Sequence, residues 1–196
     1  SARYRGTDQV TACFFGDGAV NEGTFHESLN MASLWNLPVV YCCENNGWAQ
    51  FTPMETTTKV IDVATRARAY GMPGITVDGT DVVAVSEAAE RAIERARKGE
   101  GPTLLECKLR RLYGHYVGDP QKYRAPEDIE ETRKADPIAR FESRLIDKKL
   151  LTAGEIEEIK KRANAEIAEA IEYAKESPLP EPQEALEDVY LEGGAG

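Results

Sequence analysis

Along the first 110 residues, short apolar runs alternate with stretches in which apolar positions recur every three or four residues. Val10–Phe15 is an apolar run bounded by Gly16-Asp17-Gly18, the pattern of a strand buried on both faces. In Asn21–Trp35, Phe25, Leu29, Ala32 and Leu34–Trp35 fall at near-helical spacing behind Asn21-Glu22, which suit a helix start. Leu37–Cys43 predicts a second buried strand, closed by Glu44-Asn45-Asn46-Gly47. A Thr-rich loop leads to a short helix over 60–70, stopped at Gly71, and Gly74–Asp78 reads as a third strand. Asp81–Lys98 is a strong helix with Asp81 as its cap and Gly99 as its stop, and Pro102–Leu109 supplies a fourth strand.

This alternation, with connections of a few residues, predicts an α/β fold: a parallel sheet with helices on both faces. Residues 113–126 form a Gly/Pro-rich loop without periodicity. Gly114, Gly118 and Pro120 interrupt it and nothing apolar anchors it, so it is expected to be mobile. Helices are predicted over 127–134, 138–148 and 152–176, the last opened by a Thr152–Glu155 capping box and followed by the Pro-rich acidic tail Pro178–Gly196.

Charge changes the picture of the domains. The 196 residues carry a net charge of −10, and residues 125–196 hold 19 acids against 10 bases, while 1–124 hold 15 against 14. Residues 1–124 are therefore read as an α/β domain that ends in the loop 113–126, and 125–196 as an acidic helical appendage. The acidity argues against a general nucleic-acid binder. No apolar run of about 18 residues exists to span a membrane. All four cysteines lie in apolar runs without a CxxC pair, so they are read as small hydrophobes in a reducing compartment, by default the cytoplasm. Cys42 and Cys43 should face opposite sides of their strand. Ser1–Gly6 reads like the tail of a helix with its glycine stop, which suggests a fragment of a longer chain.

Two polar clusters attract attention. In a parallel sheet, ligands bind beyond the carboxyl ends of the strands. Gly16-Asp17-Gly18-Ala19 follows the first strand and Asn45-Asn46-Gly47-Trp48 follows the second. Asp17, the amide oxygen of Asn46 and a nearby main-chain carbonyl make a hard-oxygen set suited to Mg²⁺ or Ca²⁺ rather than zinc. The glycines around Asp17 and the following helix start could admit a diphosphate. Each cluster alone is also an ordinary turn sequence. Together they enclose one complete strand–helix–strand unit.

That pairing resembles the thiamine-diphosphate signature, and the surrounding residues are closer still. Phe14-Phe-Gly-Asp-Gly-Ala-Val-Asn-Glu-Gly23, Phe25-His-Glu-Ser-Leu-Asn-Met-Ala32, Leu34-Trp-Asn-Leu-Pro38 and Glu44-Asn-Asn-Gly47 resemble the alpha subunit of the first component of 2-oxoacid and acetoin dehydrogenase complexes. Val77-Asp-Gly-Thr-Asp81, Gly101-Pro-Thr-Leu-Leu105, Tyr113-Gly-His115 and Tyr123-Arg124 extend the likeness over nearly the whole chain. The resemblance implies that Asp17 and the Asn46 side chain bind Mg²⁺ with the Trp48 carbonyl. It also implies that Gly18, Ala19 and Ala49 line the diphosphate of thiamine diphosphate. His115 would lie over the cofactor and assist with substrate, and Arg111 and Arg124 would order its loop. The ordinary imidazole pKa suits proton transfer at neutral pH; without the resemblance, a surface histidine is the plainer reading. His26 is read as structural. Tyr116 follows His115 where mitochondrial pyruvate dehydrogenases carry a serine, so control by phosphorylation there is not expected.

The resemblance further implies a heterotetramer with a beta subunit that holds the aminopyrimidine end. The reaction would decarboxylate a 2-oxo acid, or cleave acetoin, and pass the acyl unit to a lipoyl-bearing acyltransferase component. The first helix is apolar on more than one face, through Phe25, Leu29, Met31, Leu34 and Trp35, and part of it should need a partner. The rivals are a cofactor-binding or assembly module without catalysis and another thiamine-diphosphate enzyme of transketolase type.

Overall fold

Four of the apolar runs join in one sheet in the computed structural model, which describes residues 1–187. The strands are β1 (Thr11–Gly16), β2 (Val39–Asn45), β5 (Gly74–Asp78) and β6 (Thr103–Lys108), in the order β1-β2-β6-β5 with every pair parallel. A two-stranded antiparallel ribbon, β3 (Trp48–Ala49) and β4 (Thr52–Pro53), lies in the stretch read only as a Thr-rich loop. The helices are α1 (Ala2–Arg5), α2 (Gly23–Leu34), α3 (Met54–Thr57), α4 (Val82–Arg97), α5 (Pro126–Lys134), α6 (Pro137–Asp147) and α7 (Ala153–Glu176).

Alternation along β2 sets the two faces of the sheet. Tyr41 and Cys43 pack with Phe25, Leu29 and Ala32 of α2 and with Val63 and Ala67. Val40 and Cys42 pack on the opposite face with Ala88 and Ala92 of α4 and with Leu105 and Cys107. Helices thus cover both faces, and the adjacent cysteines point apart as their strand placement requires. Asp81 caps α4 by accepting from the main-chain N–H groups of Val83 and Ala84, and Gly99 takes φ +76° behind its last turn.

Several expectations need correction. The first strand is not buried on both faces: β1 has a strand neighbour on one side only, and Thr11–Phe14 are exposed, Phe14 to 67%. Cys13 is exposed with it, so it is not a buried hydrophobe. The helix expected over 60–70 is a 3-10 helix, Val63–Tyr70, closed by Gly71 at φ +67°. On α2, Phe25, Leu29 and Ala32 are buried while Met31, Leu34 and Trp35 are exposed.

The chain divides into two compact units that part between Arg144 and Leu145. The first therefore runs past residue 124, where the charge pattern put the boundary. Ion pairs within it join residues up to position 124 with residues beyond it: Arg124 with Asp128, Arg110 with Asp128 and Glu131, Arg140 with Asp78, and Arg144 with Asp81. In the second unit, Thr152 accepts from the Glu155 N–H while Glu155 accepts from the Thr152 N–H, the predicted capping box. A 3-10 turn over Pro182–Leu186 follows, and residues 188–196 of the expected tail lie outside the described residues. No helix among the described residues is long and apolar enough to cross a membrane.

Candidate active site

Because β1 and β2 are neighbours with Gly16 in register with Glu44, the loops that leave them emerge side by side. The chain leaves β1 not into α2 but into a 3-10 turn, Asp17–Asn21, so the N–H groups of Gly18 and Ala19 belong to that turn. Asp17 is 1% exposed. Its Oδ1 accepts from the Asn46 N–H at 3.2 Å, and its Oδ2 is buried without a hydrogen-bond partner among the described residues. Burial pushes the Asp17 carboxyl above the usual range, against the main-chain N–H groups of Asn46, Asp17, Trp48 and Gly47 that draw it down. A buried acceptor left open costs about 1–3 kcal/mol, which a cation at Oδ2 would offset.

The second loop is built of two interlocked turns. Asn45 Oδ1 accepts from the Gly47 N–H at 3.1 Å, and Asn46 Oδ1 accepts from the Trp48 N–H at 3.0 Å. Gly47 takes φ +78°, a conformation that favours glycine. Ala49 comes so close to the first loop that a Cβ on Gly18 would lie 2.8 Å from its Cβ. Glycine at 18 is thus a packing requirement. Asp17, Gly18, Asn46, Trp48 and Ala49 are brought together, with Ala19 on the same 3-10 turn.

No three His, Cys, Asp or Glu side chains among the described residues cluster as a metal site would demand. The oxygens these two loops carry are those of one carboxylate, one side-chain amide and the main chain, a set whose chemistry fits a hard cation that takes the rest of its shell from a ligand or water. Beside it opens a cleft of about 540 Å³, walled by Asn46, Gly47 and Trp48 on one side and by Lys108, Arg111 and Tyr123 on another. Asp17, Gly18, Ala19 and His115 do not line that cleft.

His115 reaches the hairpin rather than Asp17. It is exposed, with its ring edge-on to Phe51 at 5.9 Å. Its loop is fastened, contrary to the expectation that nothing apolar anchors it: Tyr123 packs on Trp48 (5.3 Å) and on Phe51 (5.1 Å). Asp119 gathers the loop, accepting from the His115 N–H at 2.7 Å, the Tyr123 hydroxyl at 2.6 Å and the Gln121 N–H at 2.9 Å. Desolvation opposes ionisation of Asp119, but these donors bring it below the usual carboxylate range. Arg111 donates to the Tyr123 hydroxyl, and the buried Arg124 donates to the Arg111 carbonyl, Gln121, Asp128 and Thr132. Gly114 is needed for space, since a Cβ there would lie 2.4 Å from that of Asp119. His26 shares a hydrogen bond with the Tyr70 hydroxyl at 2.5 Å, joining α2 to the 3-10 helix.

Sequence reasoning passed over Glu106 on β6, which is fully buried and accepts from Asn45, Ala64 and Thr76. Its signal is present: it is the one acid in the strand, between Leu105 and Cys107, and a buried acid must be paired.

Residues 1–183 match the Dehydrogenase E1 component family. The chain belongs to that family. It is 47% identical over 192 residues to the alpha subunit of acetoin:2,6-dichlorophenolindophenol oxidoreductase of Bacillus subtilis, covering 97% of this chain and 57% of that protein. The protein of the same description from Cupriavidus necator is 45% identical over 192 residues, covering 97% and 58%. The alpha subunit of the pyruvate dehydrogenase E1 component of Rhizobium meliloti is 41% identical over 190 residues, covering 96% and 55%. The chain thus spans a little over half the length of these relatives.

Proposed function

We propose that this chain forms the diphosphate- and metal-binding part of the alpha subunit of a thiamine-diphosphate-dependent dehydrogenase. The observation that carries the reading is the buried, unpartnered Asp17 Oδ2 facing the Asn45–Ala49 loop in a member of the E1 family. Asp17, Asn46 Oδ1 and the Trp48 carbonyl would hold Mg²⁺, while Gly18, Ala19 and Ala49 would border the diphosphate. When bound, thiamine diphosphate supplies the thiazolium carbon on which a 2-oxo acid is decarboxylated or acetoin cleaved.

The chain's own part is placement and proton handling. Gly18 leaves room for Ala49 to close on the first loop. The ribbon β3–β4 holds Phe51 against His115, and Asp119 holds the His115 main chain, so the imidazole is carried on a loop fastened beside the ribbon. From there it would hold or move a proton on the substrate oxygen. The acyl unit would pass to a lipoyl group of an acyltransferase component. The exposed Met31, Leu34 and Trp35 of α2 support association with a beta subunit, and a cytoplasmic setting is proposed with it.

The test is turnover of pyruvate, branched-chain 2-oxo acids and acetoin with an artificial electron acceptor, using the full-length subunit with its beta subunit. Turnover of one of them that depends on Mg²⁺ and thiamine diphosphate is expected. Cofactor binding without turnover of any would favour an assembly module instead.

A further inference from the structure

We infer that Glu106 is a positioning residue of the cation site, acting through Asn45 on the turn that presents Asn46 and Trp48. The inference rests on the reading of that site given above. Glu106 lies on β6 in register with Cys43 of β2 and Thr76 of β5. Its Oε1 accepts from Asn45 Nδ2 at 2.7 Å, and its Oε2 accepts from the Ala64 N–H at 2.9 Å and the Thr76 hydroxyl at 3.2 Å.

The consequence follows from the donor and acceptor inventory. A carboxylate offers acceptors alone, so the Asn45 amide must turn its NH₂ toward Glu106 and its oxygen away. The second donor contact of that NH₂, to the Ile61 carbonyl at 3.3 Å, favours the same orientation. Asn45 Oδ1 is then the atom that receives the Gly47 N–H and closes the first turn. One step on, the Trp48 N–H meets Asn46 Oδ1, which fixes the amide proposed as a ligand. Reversing the Asn45 amide would set two N–H groups against each other at Gly47 and open the turn. A buried carboxylate on the central strand β6 thus acts through Asn45, the first residue of the loop, on the geometry of Asn46 and Trp48 further along it.

Glu106 also joins β5 and the 3-10 helix, so a purely structural role has to be separated from this one. A swap of polarity does so. In Asn45→Asp/Glu106→Gln, the Gln NH₂ donates to one Asp oxygen, the other Asp oxygen receives the Gly47 N–H, and the Gln oxygen still accepts from Ala64 and Thr76, while the long contact to the Ile61 carbonyl is lost and makes the rescue partial.

The experiment is calorimetric titration of thiamine diphosphate in Mg²⁺ with the full-length subunit and its beta subunit. It is paired with melting and with amide exchange at Gly47 and Trp48 in the cofactor-free protein. Glu106→Gln is expected to bind about tenfold more weakly or worse, with faster exchange at both amides. Asn45→Asp, which opposes two carboxylates, should weaken binding likewise, and the double variant should return toward the parent. Thr76→Val, which removes a donor remote from the turn, should lower the melting temperature and leave affinity unchanged. Should Glu106→Gln fail to fold, Asn45→Asp and the double variant carry the comparison. Parent-like binding by the single variants, or a double variant no better than they are, overturns the inference. A parent that does not bind Mg²⁺ and thiamine diphosphate overturns the site reading itself, and this inference with it.

Discussion

The main-chain N–H of Asn46 donates to Asp17 Oδ1 across 3.2 Å, tying together two loops that leave adjacent parallel strands. That bond uses one carboxylate oxygen and leaves the other buried and open. The sheet brings this about without any contact local in sequence, since 29 residues separate the partners.

The contact between Gly18 and Ala49 is tight enough to test by volume. Gly18→Ala would place two methyl carbons 2.8 Å apart, so the loops must separate. A loss of about 1–3 kcal/mol in stability is expected, as overpacking commonly costs. Ala49→Gly in the same chain should recover most of it. Chemical denaturation of the parent and the two variants measures this, and an unchanged Gly18→Ala midpoint would show that the loops do not meet.

Much of this site could be read from the sequence because the strands are continuous apolar runs. Val10–Phe15 and Val39–Cys43 are runs that a sheet with helices on both faces can cover, and the two polar clusters are where those runs stop. The ribbon Trp48–Pro53 could not be read, since two-residue strands carry no periodicity and the pairing is set by the tight turn at Gln50, φ +55°. Nor does composition distinguish an edge strand from a central one: Thr11–Phe14 has the same apolar character as Val40–Cys43, yet only the latter has strand neighbours on both sides. Glu106 escaped because its partners, Asn45, Ala64 and Thr76, come from three separate elements.

The His115 loop is held by Asp119, and Gly114 lets it approach. Gly114→Ala would put a Cβ 2.4 Å from that of Asp119. Both Gly114→Ala and Asp119→Ala should speed amide exchange at His115 and Gln121 while leaving the sheet protected. Exchange already at its unprotected rate in the parent would mean that Asp119 does not order the loop.

Acid should unfasten a different contact. The Arg140 guanidinium, with the Thr80 hydroxyl and N–H, holds the Asp78 carboxyl down to about 2, against an ordinary 3.8. A folded-state value below the unfolded one gives stability that is full above about pH 4 and lost as pH falls through 2. The parent should therefore lose more stability between pH 4 and 2 than Asp78→Asn, which has no carboxylate to titrate. Denaturation midpoints at both pH values measure the difference; parallel losses would rule out this pair as the source.

The proposed cation site is tested most directly by titration of Mg²⁺ and thiamine diphosphate into the subunit with the proposed beta subunit, comparing the parent with Asp17→Ala. Asp17 lies at the strand end with one oxygen unpartnered, so its loss should leave the fold near intact, as judged by circular dichroism and melting. Saturable, Mg²⁺-dependent binding is expected in the parent and none in Asp17→Ala, with Asn46→Ala weakened in the same direction. Binding of equal affinity in all three would contradict the proposed site.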